Sequence, residues 1–470
     1  MDARIDDADL GNAWLGAAID YAGRWIEFKM RQAAQPGCVL AVAHRGELVH
    51  EQAFGVANVA TQEALTPRHR FRVASHSKTF TAAGILKLAE QGRLSLDSTA
   101  GFFVEGLHPD VAAATLRQLL SHSAGISRDG SNSGYFADAR PFLSRDELLA
   151  ELSKPSAIKA GERFKYSNFG FSLLGLVIEA ITGEAYADWI RREIVAPAGL
   201  TETYPDMPSN EVMPFARGHT SRLMADPRLV IPGDNPTNAM ASATGFVSTA
   251  ADLVRFLAQL SPRAEASILS VASRCDMMSD VSTDPDSAVF RSYGLGVYAS
   301  KPSDADNFGH IGGFQGTITR TAALPDIDVT ISILTNAIDG PAVAWMEALI
   351  RIVRRFHAAG APTAEAADWN GRWWNLWGAV DLVALGDKVM SCNPAFDMPL
   401  MEAGEIALTD KDRGTILRAP GFDRPGETVR RVRDGNGRVV MVQLGGVGLV
   451  AESAACADVQ QRYGTRAAAE

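Results

Sequence analysis

Cysteine is scarce in this chain: Cys38, Cys275, Cys392 and Cys456 lie far apart in 470 residues, with no CxxC pair. That spacing builds neither a zinc cage nor a disulfide framework, so buried free thiols are the expectation. Dense runs of lysine and arginine are missing too. A net charge of −10 repels a polyanion at long range, which argues against nucleic acid as a partner. No uninterrupted apolar stretch reaches membrane-spanning length, and no membrane partner is expected. There is no His/Asp/Glu spacing for a catalytic metal and no glycine-rich phosphate loop after a strand, so no metal and no cofactor are expected. The opening MDARIDDADLGNAW is acidic where a secretory leader is basic and then apolar, which leads us to expect a cytoplasmic protein.

What is present is the composition of a globular protein, 46% apolar and 21% charged, with length for one large domain and a smaller one. Apolar residues at helical spacing (Trp14, Leu15, Ile19, Ala22, Trp25, Ile26) predict a helix over 13–34, ended by Pro36-Gly37. CVLAVAH and ELVHEQAFG read as strands around a turn at Arg45-Gly46. Helical patterns follow at 75–91, 115–121, 145–153, 169–182, 249–260 and 341–357, and strands at 292–300, 316–324 and 328–336. Strands at both ends with helices between them predict an antiparallel sheet assembled from distant segments, facing a helical region. Past a small, polar linker at 361–367 the texture changes to short strands broken by LGDK, DKDRG and RDGNG turns, which predicts an antiparallel barrel over 368–470. Trp369, Trp373, Trp374 and Trp377 open that segment and are expected in barrel core or interface packing. The domains expected are therefore 1–360 and 368–470, in the α+β class.

Chemistry concentrates in three short motifs. Ser75 and Lys78, in FRVASHSKTF, stand one helical turn apart, so the amine reaches the hydroxyl and can take its proton if burial disfavours the ammonium. The pattern is weak alone: Ser156-Ala157-Ile158-Lys159 repeats it, in a connection between helices. A serine opening a helix is also commonly just a cap. Tyr166-Ser167-Asn168 supplies a phenol to relay a proton and an amide to orient the lysine and a substrate carbonyl. His310-Ile311-Gly312-Gly313 puts two glycines in a late strand, where a substrate backbone can lie against the chain and Gly313 N–H can face an oxyanion.

SxxK, YxN and HxG in that order resemble the serine β-lactamase and penicillin-binding-protein superfamily, particularly the class C β-lactamase-like esterases and D-aminopeptidases. LLSHSAGI at 119–126 and ATGFVSTAADLVRF at 243–256 extend the likeness over about 20–355, and the barrel resembles the lipocalin-like domain often appended there. The resemblance implies a β-lactamase-like sheet flanked by helices with a helical subdomain, followed by the barrel. It implies Ser75 as acylated nucleophile, Lys78 and Tyr166 sharing base and acid work, Asn168 as a polar orienter and His310 in the place of a lysine. Where family members carry KTG, His310 and Ile311 bring neither a permanent charge nor a hydroxyl, so carboxylate recognition is disfavoured. The function implied is hydrolysis of a small ester or peptide-like amide; the alternatives are β-lactamase or DD-peptidase action, acyl transfer, or a non-catalytic peptide sensor. The barrel is expected to wall the entrance or to join copies into a homo-oligomer.

Overall fold

Gly37–His44 is buried at every position, and its near-continuous apolar run makes it a central strand of the larger sheet. The hairpin to Glu47–Asn58 turns at Arg45 and Gly46, whose φ values of 52° and 83° are the left-handed pair that a two-residue turn demands. In this computed structural model, which describes residues 7–207, 214–279, 282–284, 286, 292–300, 306–420 and 424–464, nine strands form that sheet. Their order is Glu63–Ala64, Glu47–Asn58, Gly37–His44, Val329–Thr335, Thr317–Leu324, Asn307–Phe314, Tyr298–Ser300, Ser292–Tyr293 and Ser282–Thr283. Every neighbouring pair is antiparallel, and Cys38 faces Thr335 across a junction of strands nearly three hundred residues apart. The expected strand at 292–300 is broken in two by a turn through Gly296.

The chain divides into two compact units, residues 35–346 and residues 1–34 with 347–470. In the first, the helices Ser77–Glu90, Asn168–Thr182 and Ala250–Gln259 appear where periodicity puts them. The last is capped as expected, Thr249 accepting the Asp252 N–H. Phe80 stacks between Phe246 and Phe256 at ring distances of 4.3 and 4.0 Å, which anchors the helix that follows Ser75.

The second unit holds a closed barrel whose eight described strands run in sequence order from Gly371–Asn375 to Val447–Val450. Leu382, Ala384, Val389, Ile406, Val429 and Val442 fill it. The division differs from the expected 1–360 and 368–470. The N-terminal helix Asp7–Ala33 belongs with the barrel segment: Tyr21 OH lies 3.2 Å from Cys392 Sγ, Trp25 donates to Pro394 O and Lys29 to Ala395 O. The expected linker 361–367 is largely the helix Ala364–Ala367, capped by Thr363, with Ala366 in the barrel core. The tryptophans separate. Trp369 and Trp373 pack in the barrel, Trp374 meets Phe28, and Trp377 is 94% exposed at a hairpin tip.

Candidate active site

The turn carrying Ser75 is shaped before the helix begins. Phe71–Arg72 pairs with Val247–Ser248, and the Val73 N–H continues that pairing to Phe246 O at 3.0 Å. Ala74 then takes φ +46°, a left-handed setting that costs an alanine on the order of 1 kcal/mol. A single 3-10 turn, Ala74–His76, precedes the helix Ser77–Glu90. Ser77, not Ser75, ties the turn down, accepting the Phe246 N–H at 3.0 Å and donating to Ala74 O. The half-buried Ser75 hydroxyl caps nothing; its hydrogen-bond partners are Lys78 Nζ at 3.1 Å and Tyr166 OH at 2.9 Å.

Lys78 is fully buried, and its amine lies 2.7 Å from Asn168 Oδ1 and 2.8 Å from Ala243 O. Those two atoms only accept. A neutral amine satisfies both with its two N–H groups and keeps a lone pair for the Ser75 proton. Burial pushes the Lys78 pKa well down, with Arg128 adding to the effect and Asp129 opposing it. Tyr166 is driven the other way: burial, then the neighbouring Tyr298, raise its pKa, so its hydroxyl stays a proton donor to Ser75. The geometry thus brings a buried amine and a buried phenol within hydrogen-bond reach of one serine hydroxyl.

Asn168 opens the helix Asn168–Thr182, whose cap Ser167 accepts the Gly170 N–H. Its amide is held from both sides, Oδ1 toward Lys78 and Nδ2 donating to Asp129 Oδ1 at 2.7 Å. The rival pair behaves differently. Ser156 and Lys159 lie in a loop after the helix Arg145–Leu152, and the Ser156 hydroxyl has no partner among the described residues.

His310 is brought near but not into the constellation. It is 2% exposed, with Nε2 3.0 Å from Tyr293 OH and Nδ1 lying 2.7 Å from the Ile311 carbonyl oxygen and 3.0 Å from its nitrogen, and no hydrogen bond joins it to Ser75, Lys78 or Tyr166 among the described residues. Burial, with His76 and Lys78 nearby, pushes its pKa well below the usual value and keeps it neutral. Its ring contacts Tyr293 instead. The two glycines also part company, because successive strand residues face opposite ways. Gly312 is buried, and a Cβ there would stand 2.1 Å from Val73 O and 2.4 Å from Thr319 Oγ1. Its missing side chain lets the strand press against the turn that bears Ser75. Gly313 is exposed, with only Ile318 Cδ1 within 4 Å of such a Cβ. Pairing with Tyr298–Ser300 stops at Gly309, so that edge of the strand is open from His310 onward among the described residues.

Three participants were missed by sequence reasoning. Asp129 and Ala243 touch Asn168 and Lys78 from loops, through a carboxylate and a backbone carbonyl. His122 lies 4.1 Å from the Tyr166 ring, with Nδ1 accepting the Ser167 N–H. Both Ala243 and His122 fall inside stretches that carried the family likeness, the available signal for them.

These are features of one class of protein. The Beta-lactamase family profile matches residues 23–352, and the chain belongs to that family. Penicillin-binding protein 4* of Bacillus subtilis (strain 168) is 28% identical over 317 residues, 64% of this chain and 68% of that protein. Protein flp of Staphylococcus aureus (strain COL) is also 28% identical, over 182 residues covering 38% of this chain and 36% of that protein. This chain therefore spans about a third of the length of the staphylococcal relatives it matches. Among solved structures, the octameric penicillin-binding protein homologue from Pyrococcus abyssi aligns with a TM-score of 0.64, 22% identity, and 92% of this chain on 100% of that one. The D-amino acid amidase from Ochrobactrum anthropi SV3, complexed with D-phenylalanine, aligns with a TM-score of 0.60, 22% identity, and 74% on 99%. At those identities the two structures establish the fold.

Proposed function

We propose that the protein is a serine hydrolase that acylates itself on Ser75 and releases the acyl group to water, acting on a small ester or a peptide-like amide. The observation that carries this reading is the double engagement of the Ser75 hydroxyl by a buried amine and a protonated phenol. Ser75 Oγ attacks the acyl carbon as its proton passes to Lys78 Nζ; Tyr166 delivers a proton to the departing oxygen or nitrogen. Water then repeats the sequence in reverse and frees the serine. The Ser75 and Gly313 N–H groups are the donors we assign to the oxyanion, in keeping with an open strand edge at an exposed glycine.

A neutral, buried His310 gives a substrate carboxylate no cation on this strand, which favours uncharged esters and amides over penicillins and C-terminal carboxylates. D-amino acid amides are the first amides to try, since the fold is shared with an amidase crystallised with D-phenylalanine. The test is fluorophosphonate labelling followed by peptide mass mapping, on wild type and Ser75→Ala. A single adduct on Ser75, lost in the variant, supports the reading; equal labelling of both proteins ends it. Turnover of p-nitrophenyl esters, D- and L-amino acid p-nitroanilides and nitrocefin then ranks the substrate classes. Self-association through the barrel is also proposed, a relative of this fold being octameric; light scattering that finds a monomer would dismiss it.

A further inference from the structure

Behind the lysine runs a chain of polar contacts that the proposed reaction does not itself require. Lys78 Nζ meets Asn168 Oδ1 at 2.7 Å, Asn168 Nδ2 meets Asp129 Oδ1 at 2.7 Å, and Asp129 Oδ2 meets Arg128 Nε at 3.0 Å. The Asp129 side chain is 12% exposed, whereas that of Arg128 is 64% exposed and lies over the Tyr166 ring, 5.3 Å from its centre. The loop is fixed: Arg128 O accepts the Asn168 and Phe169 N–H groups, and Tyr135 OH donates to Asp129 O. Arginine has only donors, so whatever stands between Arg128 and the Asn168 amino group must accept on both sides. Among side chains of this shape, only an ionised carboxylate does so.

We propose that Asp129 is a positioning residue of the active site: its carboxylate, accepting from Arg128 on one side, fixes the Asn168 amide so that the oxygen, and not the amino group, faces Lys78. The proposal rests on the hydrolase reading above. An amide flipped the other way sets two donors against each other at Lys78 and leaves the base without one of its acceptors. Asparagine at 129 cannot avoid this. If its oxygen turns to Arg128, its amino group meets that of Asn168 or flips it; if its oxygen turns to Asn168, its amino group meets Arg128.

The charges add a second signature. The ionisable groups around Lys78 are Asp129 and Arg128 on this loop, Tyr166 ahead of the helix, His122, and His310 on the strand. Of these, Asp129 favours the ammonium and Arg128 opposes it. Catalysis needs the free amine, so activity rises with pH through the Lys78 titration. Removing the Asp129 charge moves that acid limb to lower pH; removing the Arg128 charge moves it to higher pH.

The experiment is the pH profile of kcat/KM for p-nitrophenyl ester hydrolysis by D129N, R128Q and the double variant, with melting temperatures alongside. Asp129→Asn should lower the plateau about ten- to a hundredfold, chiefly in kcat, and shift the acid limb down in pH. Arg128→Gln should shift it up. Adding Arg128→Gln to Asp129→Asn removes the competing donor and should restore at least half of the logarithmic loss. A D129N enzyme with wild-type rate and profile overturns the proposal, as does a rate loss without limb movement or rescue. If D129N does not fold, R128Q decides alone, an acid limb unchanged or moved down in pH being contrary. If wild type fails to label at Ser75, the hydrolase reading fails separately. The amide chain is then judged by melting temperature, which should fall in D129N and recover in the double variant.

Discussion

Ser75-His76-Ser77-Lys78 and Ser156-Ala157-Ile158-Lys159 share a pattern and nothing else. The first follows a left-handed Ala74, buries its lysine among acceptors and meets a phenol; the second sits in a loop with its hydroxyl unpartnered. Spacing therefore sets only the possibility of a nucleophile and base. What sets the first pair apart is a buried amine whose other partners are acceptors, which leaves one hydroxyl as its remaining neighbour.

Exchanging the lysines sharpens this contrast most. Lys78→Ala should lower the fluorophosphonate labelling rate by about a thousandfold, within the usual range for a general base, while Lys159→Ala leaves it within about twofold. Comparable losses in both would break the distinction. Next come the strand glycines beside the Ser75 turn. Gly312→Ala forces a Cβ to 2.1 Å from Val73 O and should cost about 3 kcal/mol in denaturant unfolding, with activity falling alongside. Gly313→Ala, whose Cβ finds only Ile318 Cδ1 at 3.6 Å, should unfold like wild type, and equal costs would show that the strand does not brace the turn.

Acid probes the same buried surroundings. His76, fully enclosed beside Ser75, has its pKa lowered from the usual 6.5 to about 4 by burial. Its neutral form favours the fold fully above pH 6.5, and that contribution drains away as pH falls toward 4, since the unfolded chain binds the proton first. Between pH 7 and pH 5 the loss from His76 is about 2 kcal/mol, readable as a lower urea midpoint and absent in a His76→Asn protein. The smallest effect concerns Ala74. Ala74→Gly relieves the positive φ but frees the unfolded chain, so melting should move by no more than a few degrees while labelling slows several-fold; unchanged labelling would mean the turn needs no help holding Ser75.

Much of this arrangement is legible in sequence because it depends on short spacings. Ser75, Lys78, Tyr166 and Asn168 are found within their motifs, and the hairpin at Arg45-Gly46 and the helices at 75–91, 145–153 and 169–182 follow from turn residues and apolar period. The rest is hidden for definite reasons. Asp129 lies thirty-nine positions from the amide it holds, and Ala243 contributes a carbonyl that every residue has. His310 stands in its motif where a lysine would, and only the fold reveals its burial against Tyr293. The first barrel strand, Gly371–Asn375, is half-buried throughout, so it lacks the apolar alternation that marks its successors. The closing helix Glu452–Tyr463 buries none of its residues, leaving no apolar face to read.

The bonds from Tyr21, Trp25 and Lys29 to residues 392–395 also impose an order on biosynthesis. The first helix leaves the ribosome more than three hundred and fifty residues before the segment that receives it. Throughout that interval Tyr21 and Trp25 must wait without those partners, while everything needed for residues 35–346 has already emerged. The barrel unit is thus completed last, by a return to the beginning of the chain.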